Sequence, residues 1–198
     1  QPFPFAFWSA VAIPVLHQIF VWLAWRMELL SSTTSRAIRF SGYITCFFIL
    51  FGSRIVSLLL LAWLDRGSLA LHVAPRFILT ILFASIGAYA FYSVKWYFGM
   101  IRAAGADHFD PRYRDMPLVK QGIFRFTNNG MYAYAFLLFW AIAIGFNSSA
   151  AVVVVAFSHA YIWVHFFVTE KPDMEYLYGT GGKQTNATAN QKQSTEKV

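Results

Sequence analysis

The sequence is poor in charged residues and in cysteine. Only 13% of its 198 residues are Asp, Glu, Lys or Arg, whereas a soluble domain carries about 25%. The single cysteine, Cys46, excludes an internal disulfide and any metal site built from several cysteines. Acidic residues number 9 against 16 basic ones, which gives a net charge of +7. A chain with so little charge has no soluble basic face, so we predict no nucleic-acid partner.

Hydrophobic and aromatic residues make up 58% and 19% of the chain. Because a membrane span needs about 20 apolar residues, the hydropathy pattern predicts about five transmembrane helices. They cover residues 3–25, 40–64, 76–101, 131–146 and 150–169. The short turn 145–149 makes the last two a tight helical hairpin. The sequence therefore predicts an all-α, polytopic integral membrane protein.

Basic residues are concentrated on one side of the predicted bundle, and only Arg66 and Arg76 lie on the other. The concentrated set is Arg26, Arg36, Arg39, Arg102, Arg112, Arg114, Lys120, Arg125, Lys171 and Lys183. The positive-inside rule then places the N-terminus outside or in a lumen and the C-terminus in the cytoplasm. The endoplasmic reticulum and the bacterial inner membrane both fit this orientation.

The two ends of the chain differ in composition. No basic region precedes a short apolar core at the N-terminus, so no cleavable signal peptide is expected. Because the sequence starts at Gln1 rather than Met, we expect the chain to be trimmed or processed. Residues 180–198 are almost free of apolar side chains, which predicts a disordered cytoplasmic tail. Residues 1–179 are predicted to form one transmembrane domain.

Two polar motifs bracket the predicted hairpin. Residues 122–132 read GIFRFTNNGMY, and residues 170–179 read EKPDMEYLYG. Since two antiparallel helices return the chain to the face from which it started, we expect the motifs to meet at one membrane face. A site built there could hold a polar cofactor while an apolar substrate enters from the bilayer.

These motifs, with residues 118–121 ahead of the first, resemble those of the membrane phospholipid and isoprenylcysteine methyltransferases. The second motif is most similar to the phosphatidylethanolamine N-methyltransferase branch, and the resemblance covers roughly residues 76–179. Four positions depart from the family pattern. They are Asn128 in place of Arg, Gly130 in place of Pro, Tyr134 in place of Gly, and Lys171 in place of a second Glu.

The resemblance implies S-adenosylmethionine as the methyl donor and a lipid acceptor that enters from the bilayer. The first prediction is N-methylation of phosphatidylethanolamine or its methylated derivatives. Carboxyl methylation of isoprenylcysteine is the second. An NADPH-dependent reductase of the sterol type and a non-catalytic membrane binding protein, suggested by the four departures, are the rivals from other classes.

The predicted cofactor site takes residues from both motifs. Glu170 supplies the acidic group for the cationic or diol end of the cofactor, and Tyr132 is a further ligand. Asn129 is predicted either to cap a helix or to bind the cofactor. The predicted cofactor-binding set is completed by Asn128, Gly130, Met131 and Glu175.

The predicted catalytic residues are His165 and Tyr132. An unperturbed histidine titrates near neutral pH, so His165 could accept the proton that an ammonium acceptor must lose. An interhelical hydrogen bond is the alternative role for this histidine.

The predicted substrate-binding residues lie on the second and third spans. Arg54 is near the middle of the second, where it could hold a lipid phosphate or bond carbonyls exposed by a kink near Gly52. On the third, Tyr92 and Trp96 follow helical spacing, with packing as the alternative role. Lys95 lies nearer the cytoplasmic end of this span, where contact with lipid headgroups is the alternative. The run from Asp107 to Asp110 lacks further metal ligands, so no metal site is predicted there. We predict instead that this run belongs to a solvated connection between helices.

Overall fold

A computed structural model describes residues 2–179, and every regular element in this range is helical. The predicted all-α fold is confirmed, while the predicted disordered tail lies outside the described residues. In chain order the α-helices are α1 (Pro4–Ser31), α2 (Thr33–Leu64), α3 (Val73–Ser93), α4 (Met100–Ala103), α5 (Leu137–Gly145), α6 (Ser149–His165) and α7 (Lys171–Tyr178). Three π-helical segments, Val94–Phe98, Met131–Ala135 and Phe166–Glu170, extend α3, precede α5 and join α6 to α7.

Four of the helical stretches between residues 2 and 179 are long and apolar enough to cross a membrane. They are Pro4–Ser31, Thr33–Leu64, Val73–Phe98 and Ser149–Tyr178. The fourth predicted span is the shorter apolar helix Met131–Gly145, which reaches about 22 Å at 1.5 Å per residue, less than the hydrocarbon core of about 30 Å. The chain is a multi-pass membrane protein, and the count of five spans stays a prediction.

The first helix ends later and the second begins earlier than predicted, at Ser31 and Thr33, and a left-handed residue, Ser32, turns the chain between them (φ 51°). The Glu28 carboxylate accepts hydrogen bonds from the backbone N and the hydroxyl of Ser35, at 2.8 and 2.7 Å. Within α2 the residue with non-helical dihedral angles is Arg39. The predicted kink near Gly52 is therefore wrong, and a regular helix leaves no free carbonyls there for Arg54.

The helices pack as neighbouring pairs. α1 lies against α2, α3 against α5, and α6 against α1 and α5. A Cβ added to Gly87 would stand 2.7 Å from the backbone N of Leu138, so this glycine lets α3 approach α5 closely. α2 and α3 pack against these other helices rather than against each other, which leaves space between them.

The loops at residues 65–72 and 146–148 lie together on what we call the hairpin side. Asp65 Oδ2 accepts hydrogen bonds from the hydroxyls of Ser68 and Ser148, at 2.6 and 2.7 Å, and from the backbone N of Ala150 at 2.9 Å. Ser148 in turn caps α6 by accepting from the N of Ala151. The predicted tight hairpin of α5 and α6 is confirmed, and Asp65 fixes its turn to the end of α2.

The largest cluster of buried hydrophobic residues lies near the hairpin side, where small residues let α1, α2 and α6 approach one another. Its buried members are Ala6, Ala10, Leu58, Leu61, Ala62, Ala143, Ala150, Ala151, Val154 and Val155. Residues 99–130 lie at the other end of the bundle, which we call the connection side. The space between α2 and α3 opens the interior towards that end.

Candidate active site

All three π-helical segments lie on the connection side, and two of them carry the residues singled out from the motifs. Tyr132 is in Met131–Ala135, and Glu170 is in Phe166–Glu170. A π-turn adds a residue to the helical turn, so it changes where the following side chains point, and such turns are frequent at functional sites.

Tyr132 and Glu170 meet across the hairpin. The Tyr132 hydroxyl donates a hydrogen bond to Glu170 Oε2, and the Tyr132 ring packs beside Trp163 and Phe166, with centroids 6.0 and 5.7 Å away. The two polar motifs thus converge at one place, which joins an acidic group to a phenol at the connection side.

His159 holds the backbone of Tyr132 through a hydrogen bond. Trp140 Nε1 donates to His159 Nδ1 at 3.1 Å, so the proton of the neutral ring is on Nε2, which donates to the Tyr132 carbonyl at 2.9 Å. The His159 ring also stacks on Phe136, with centroids 4.9 Å apart. This histidine satisfies a carbonyl of the π-helical segment and holds Tyr132 in position.

A cavity of about 680 Å³ extends from Tyr132 into the bundle between α2 and α3. Its lining is mostly apolar, with residues such as Phe47, Phe91 and Phe136. His165 and Trp25 line it together with Tyr132. The volume lies within the roughly 300–1,000 Å³ that ligand sites occupy, so the cavity is large enough for a nucleoside or for part of a lipid.

Trp25 lies between two histidines. Its ring centroid is 3.9 Å from that of His108, in a stack, and 5.5 Å from that of His165. Trp25 Nε1 donates to the Tyr43 hydroxyl at 2.8 Å, and this hydroxyl donates to the Ala104 carbonyl at 2.7 Å. These bonds fix α1, α2 and the start of the connection to one another beneath the cavity.

A buried ionic network joins the connection to α1 and α7. His108 Nδ1 is 3.0 Å from Asp107 Oδ1, and His108 Nε2 is 3.3 Å from Asp173 Oδ2. Asp173 also pairs with Arg26 at 2.6 Å, and the Tyr178 hydroxyl donates to Asp107 at 2.9 Å. The prediction of a solvated connection is wrong at Asp107 and His108, which are 8% and 4% exposed.

The protonation of this network follows from its partners. Burial alone would lower the pKa of His108, but hydrogen bonds to the carboxylates of Asp107 and Asp173 outweigh burial and raise this pKa. Burial alone would raise the pKa of Asp107, but hydrogen bonds from His108 and Tyr178 outweigh it, so this pKa lies below its ordinary value. The network therefore favours the protonated form of His108, with the carboxylates of Asp107 and Asp173 on either side of it.

A family model described as phospholipid methyltransferase matches residues 75–181, more than half of the chain. This protein belongs to that family. No curated protein and no solved structure matches it.

Membership makes this a chain of a methyltransferase family, whose members generally use S-adenosylmethionine. The matched segment holds Tyr132, Glu170 and His165, whereas α1 and α2 lie outside it. The residues present fit this cofactor, because the Glu170 carboxylate can face a cation or diol and the cavity beside Tyr132 has room for the nucleoside.

The remaining residues of the first motif have different surroundings. Asn128 is exposed and Asn129 half-buried, and no side chain caps the helix that begins at Met131. Met131 lines the cavity. Gly130 is buried, and a Cβ there would stand 2.7 Å from Ile123 Cγ2, so Gly130 admits close packing where the family has proline.

Four other predicted site residues lie away from the cavity. Glu175 is exposed on α7. On the third span, Phe91 and Val94 line the cavity, while Tyr92, Lys95 and Trp96 are on the outer face and exposed. There Lys95 Nζ stands 5.5 Å from the centroid of Trp96. These three side chains therefore do not form a slot inside the bundle, and headgroup contact of Lys95 stays a prediction.

The structure adds residues that sequence reasoning did not place in the site. They are His17, Gln18 and Trp25 on α1, the set Asp107, His108 and Asp173, and His159. His17 and Gln18 could have been found from the sequence, because they are polar residues within an apolar span and such residues face protein or a cavity. The contacts of His108 and Asp173 join positions far apart in sequence, and no local pattern indicates them.

Proposed function

We propose that this protein transfers a methyl group from S-adenosylmethionine to the headgroup of a membrane lipid, and that the acceptor is an ethanolamine phospholipid. The observation that carries the proposal is the hydrogen bond between Tyr132 and Glu170 at the end of a large apolar cavity. Membership of the phospholipid methyltransferase family supports it.

The cofactor end of the proposed site is the connection side, where Glu170 and Tyr132 face the cationic or diol groups of the cofactor. When bound, S-adenosylmethionine supplies a methyl group already activated by its sulfonium. The protein then has to align the acceptor with this methyl and exclude water, and alignment supplies much of the rate enhancement. The aromatic rings of Trp25, Trp163 and Phe166 provide apolar surroundings for the methyl group.

An ethanolamine headgroup must lose an ammonium proton before its nitrogen can accept a methyl group. His165 lines the cavity and is 8% exposed, so it is placed to accept this proton. The deprotonated amine would then be free to accept the methyl group that the bound cofactor supplies.

The lipid enters between α2 and α3, because both helices line the cavity and each packs against other neighbours. The connection side, with most of the basic residues, faces the cytoplasm in this proposal. Cofactor from water and acceptor from the bilayer would then reach the cavity by different routes.

The proposal is tested by incubating membranes that contain the protein with methyl-labelled cofactor, phosphatidylethanolamine and farnesylcysteine. We expect label in methylated phosphatidylethanolamine, and at least a tenfold loss in Glu170→Gln through the loss of a charge-assisted contact. Asp115→Asn, which alters an exposed acid on the same side, is the matched control and should retain activity.

Carboxyl methylation of isoprenylcysteine is the second candidate, because the apolar lining of the cavity also suits a prenyl chain. Label in farnesylcysteine alone would replace the first proposal by this one. Saturable binding of NADPH without binding of S-adenosylmethionine would instead point to a reductase, and binding of neither to a non-catalytic protein.

A further inference from the structure

Arg54 is a buried cation without a protein partner. It is 6% exposed, and its Nε is buried without a hydrogen-bond acceptor. None of the ion pairs among residues 2–179 includes it. Its nearest aromatic contacts are Phe136 and Phe139, whose ring centroids are 5.6 and 5.8 Å from the guanidinium carbon.

The buried acidic side chains of the described range, in contrast, all have a partner. They are Glu28 with Ser35, Asp65 with Ser148, Asp107 with His108, and Asp173 with Arg26. An unpaired charge in a low-dielectric interior is costly, and in a membrane it marks a functional site by default. The described part of the protein therefore supplies no counter-charge for Arg54.

Two further polar side chains from α1 lie on the same cavity. His17 is 2% exposed, and both of its ring nitrogens are buried without a partner. Gln18 is 6% exposed. We call His17, Gln18 and Arg54 the polar triplet, since all three line the cavity. They combine a cation with neutral hydrogen-bonding groups, which is the chemistry that an oxyanion requires.

We propose that the polar triplet binds the oxyanion of the membrane-borne acceptor, which is a phosphodiester if the acceptor is an ethanolamine phospholipid as proposed above. A guanidinium presents paired N–H groups that match two oxygens of a phosphate. The anion would supply the missing counter-charge, and the surrounding phenylalanines would contact the acyl chains. The subsite thus selects amphiphiles that carry a negative charge close to the reacting group.

The position of the triplet separates it from the cofactor end. Phe136 and Phe139, on which Arg54 packs, lie about 6 and 10 Å beyond Tyr132 along the helix at 1.5 Å per residue. His165 lines the same cavity, so an acceptor held by Arg54 can extend its headgroup towards His165. The whole triplet lies on α1 and α2, outside the segment matched by the family model.

The test measures lipid binding without cofactor, so it does not depend on methyl transfer. Purified protein in a neutral maltoside detergent is titrated with dioctanoyl phosphatidylethanolamine, farnesylcysteine and dioctanoylglycerol, with native mass spectrometry as the readout. Arg54→Met is compared with Arg66→Met, which alters an exposed arginine beyond the end of the same helix. A parallel calorimetric titration measures the affinity for S-adenosylmethionine.

We expect Arg54→Met to weaken binding of the phosphate lipid about 10- to 100-fold, as for a lost charge-assisted bond. Its binding of the neutral diacylglycerol and of S-adenosylmethionine should match that of the wild type. Because the substitution removes an unpaired buried charge, the melting temperature of the lipid-free protein should stay equal or rise. His17→Phe, a second variant, should weaken phosphate-lipid binding several-fold. A larger loss for farnesylcysteine would identify the oxyanion as a carboxylate.

Unchanged affinity of folded Arg54→Met for both anionic amphiphiles overturns the proposal. So does a selective loss of S-adenosylmethionine affinity, which would assign the triplet to the cofactor carboxylate. If wild-type protein binds the phosphate lipid through Arg54 but transfers no methyl group, the proposed function fails while the oxyanion subsite stands.

Discussion

The hairpin side and the cavity differ in how their polar side chains are partnered. On the hairpin side, Asp65 accepts three hydrogen bonds and small residues close the core around it. On the connection side and in the cavity, Tyr132, His165 and Arg54 border about 680 Å³ of open space. The same helix, α6, runs from one environment to the other. Satisfied polar groups hold these helices together, whereas polar groups left beside a cavity are available to a ligand.

The largest effect is expected from breaking the ionic network below the cavity. His108→Gln removes the histidine between Asp107 and Asp173, and removing one partner of a buried ion pair costs about 3 kcal/mol. Thermal unfolding in detergent measures the loss. Arg112→Gln alters an exposed ion pair of the same connection and should leave the melting temperature unchanged.

The same network predicts a pH dependence. Because the pKa of His108 is raised in the folded protein, its stabilisation is complete below the ordinary histidine value of about 6.5 and is lost as the pH rises through the folded-state value. The wild type should therefore lose stability on alkalinisation more steeply than His108→Gln. Parallel melting curves for the two proteins would contradict the assignment.

A smaller loss is expected on the hairpin side. Asp65→Ala removes the acceptor of three hydrogen bonds, which should lower the free energy of unfolding by about 2 kcal/mol. Burial alone would raise the pKa of Asp65, but bonds from Ser68, Ser148 and Ala150 outweigh it and lower this pKa. The stabilisation that Asp65 contributes is therefore present above the ordinary pKa of an aspartate and is lost as the pH falls through the pKa of Asp65 in the folded protein. Binding of S-adenosylmethionine per folded molecule should not change.

His159→Phe tests whether the hydrogen bond from His159 to the Tyr132 carbonyl holds Tyr132 in position. Phenylalanine keeps the stack on Phe136 but removes the bonds to Trp140 and to the Tyr132 carbonyl, with an expected cost of about 1 kcal/mol. A shifted Tyr132 should also weaken S-adenosylmethionine binding a few-fold, measured by calorimetry. A stability loss with wild-type affinity would limit His159 to a packing role.

The smallest effect is expected from Glu175→Gln. Glu175 belongs to the same motif as Glu170 but is exposed on α7. Its substitution should change cofactor affinity less than twofold, and a loss as large as that of Glu170→Gln would show that α7 moves when the cofactor binds.

These comparisons also show which parts of the molecule were predictable. Hydropathy indicates long apolar helices, and the antiparallel course of a hairpin brings Tyr132 near Glu170. The outward position of Tyr92, Lys95 and Trp96 was not predictable, since a helix that is apolar all round has no marked face. The π-helical segments depend on local backbone geometry, and the pair of His108 and Asp173 depends on packing between α7 and the connection.

The most direct measurement is the affinity for S-adenosylmethionine of the wild type, Tyr132→Phe and Glu170→Gln, with Asp115→Asn as the control. Calorimetry should show saturable binding by the wild type and the control, and binding about 10- to 100-fold weaker in Glu170→Gln. Tyr132→Phe should have a smaller loss of the same kind. Equal affinities in all four proteins, or no saturable binding by the wild type, would contradict a cofactor site at the meeting point of Tyr132 and Glu170.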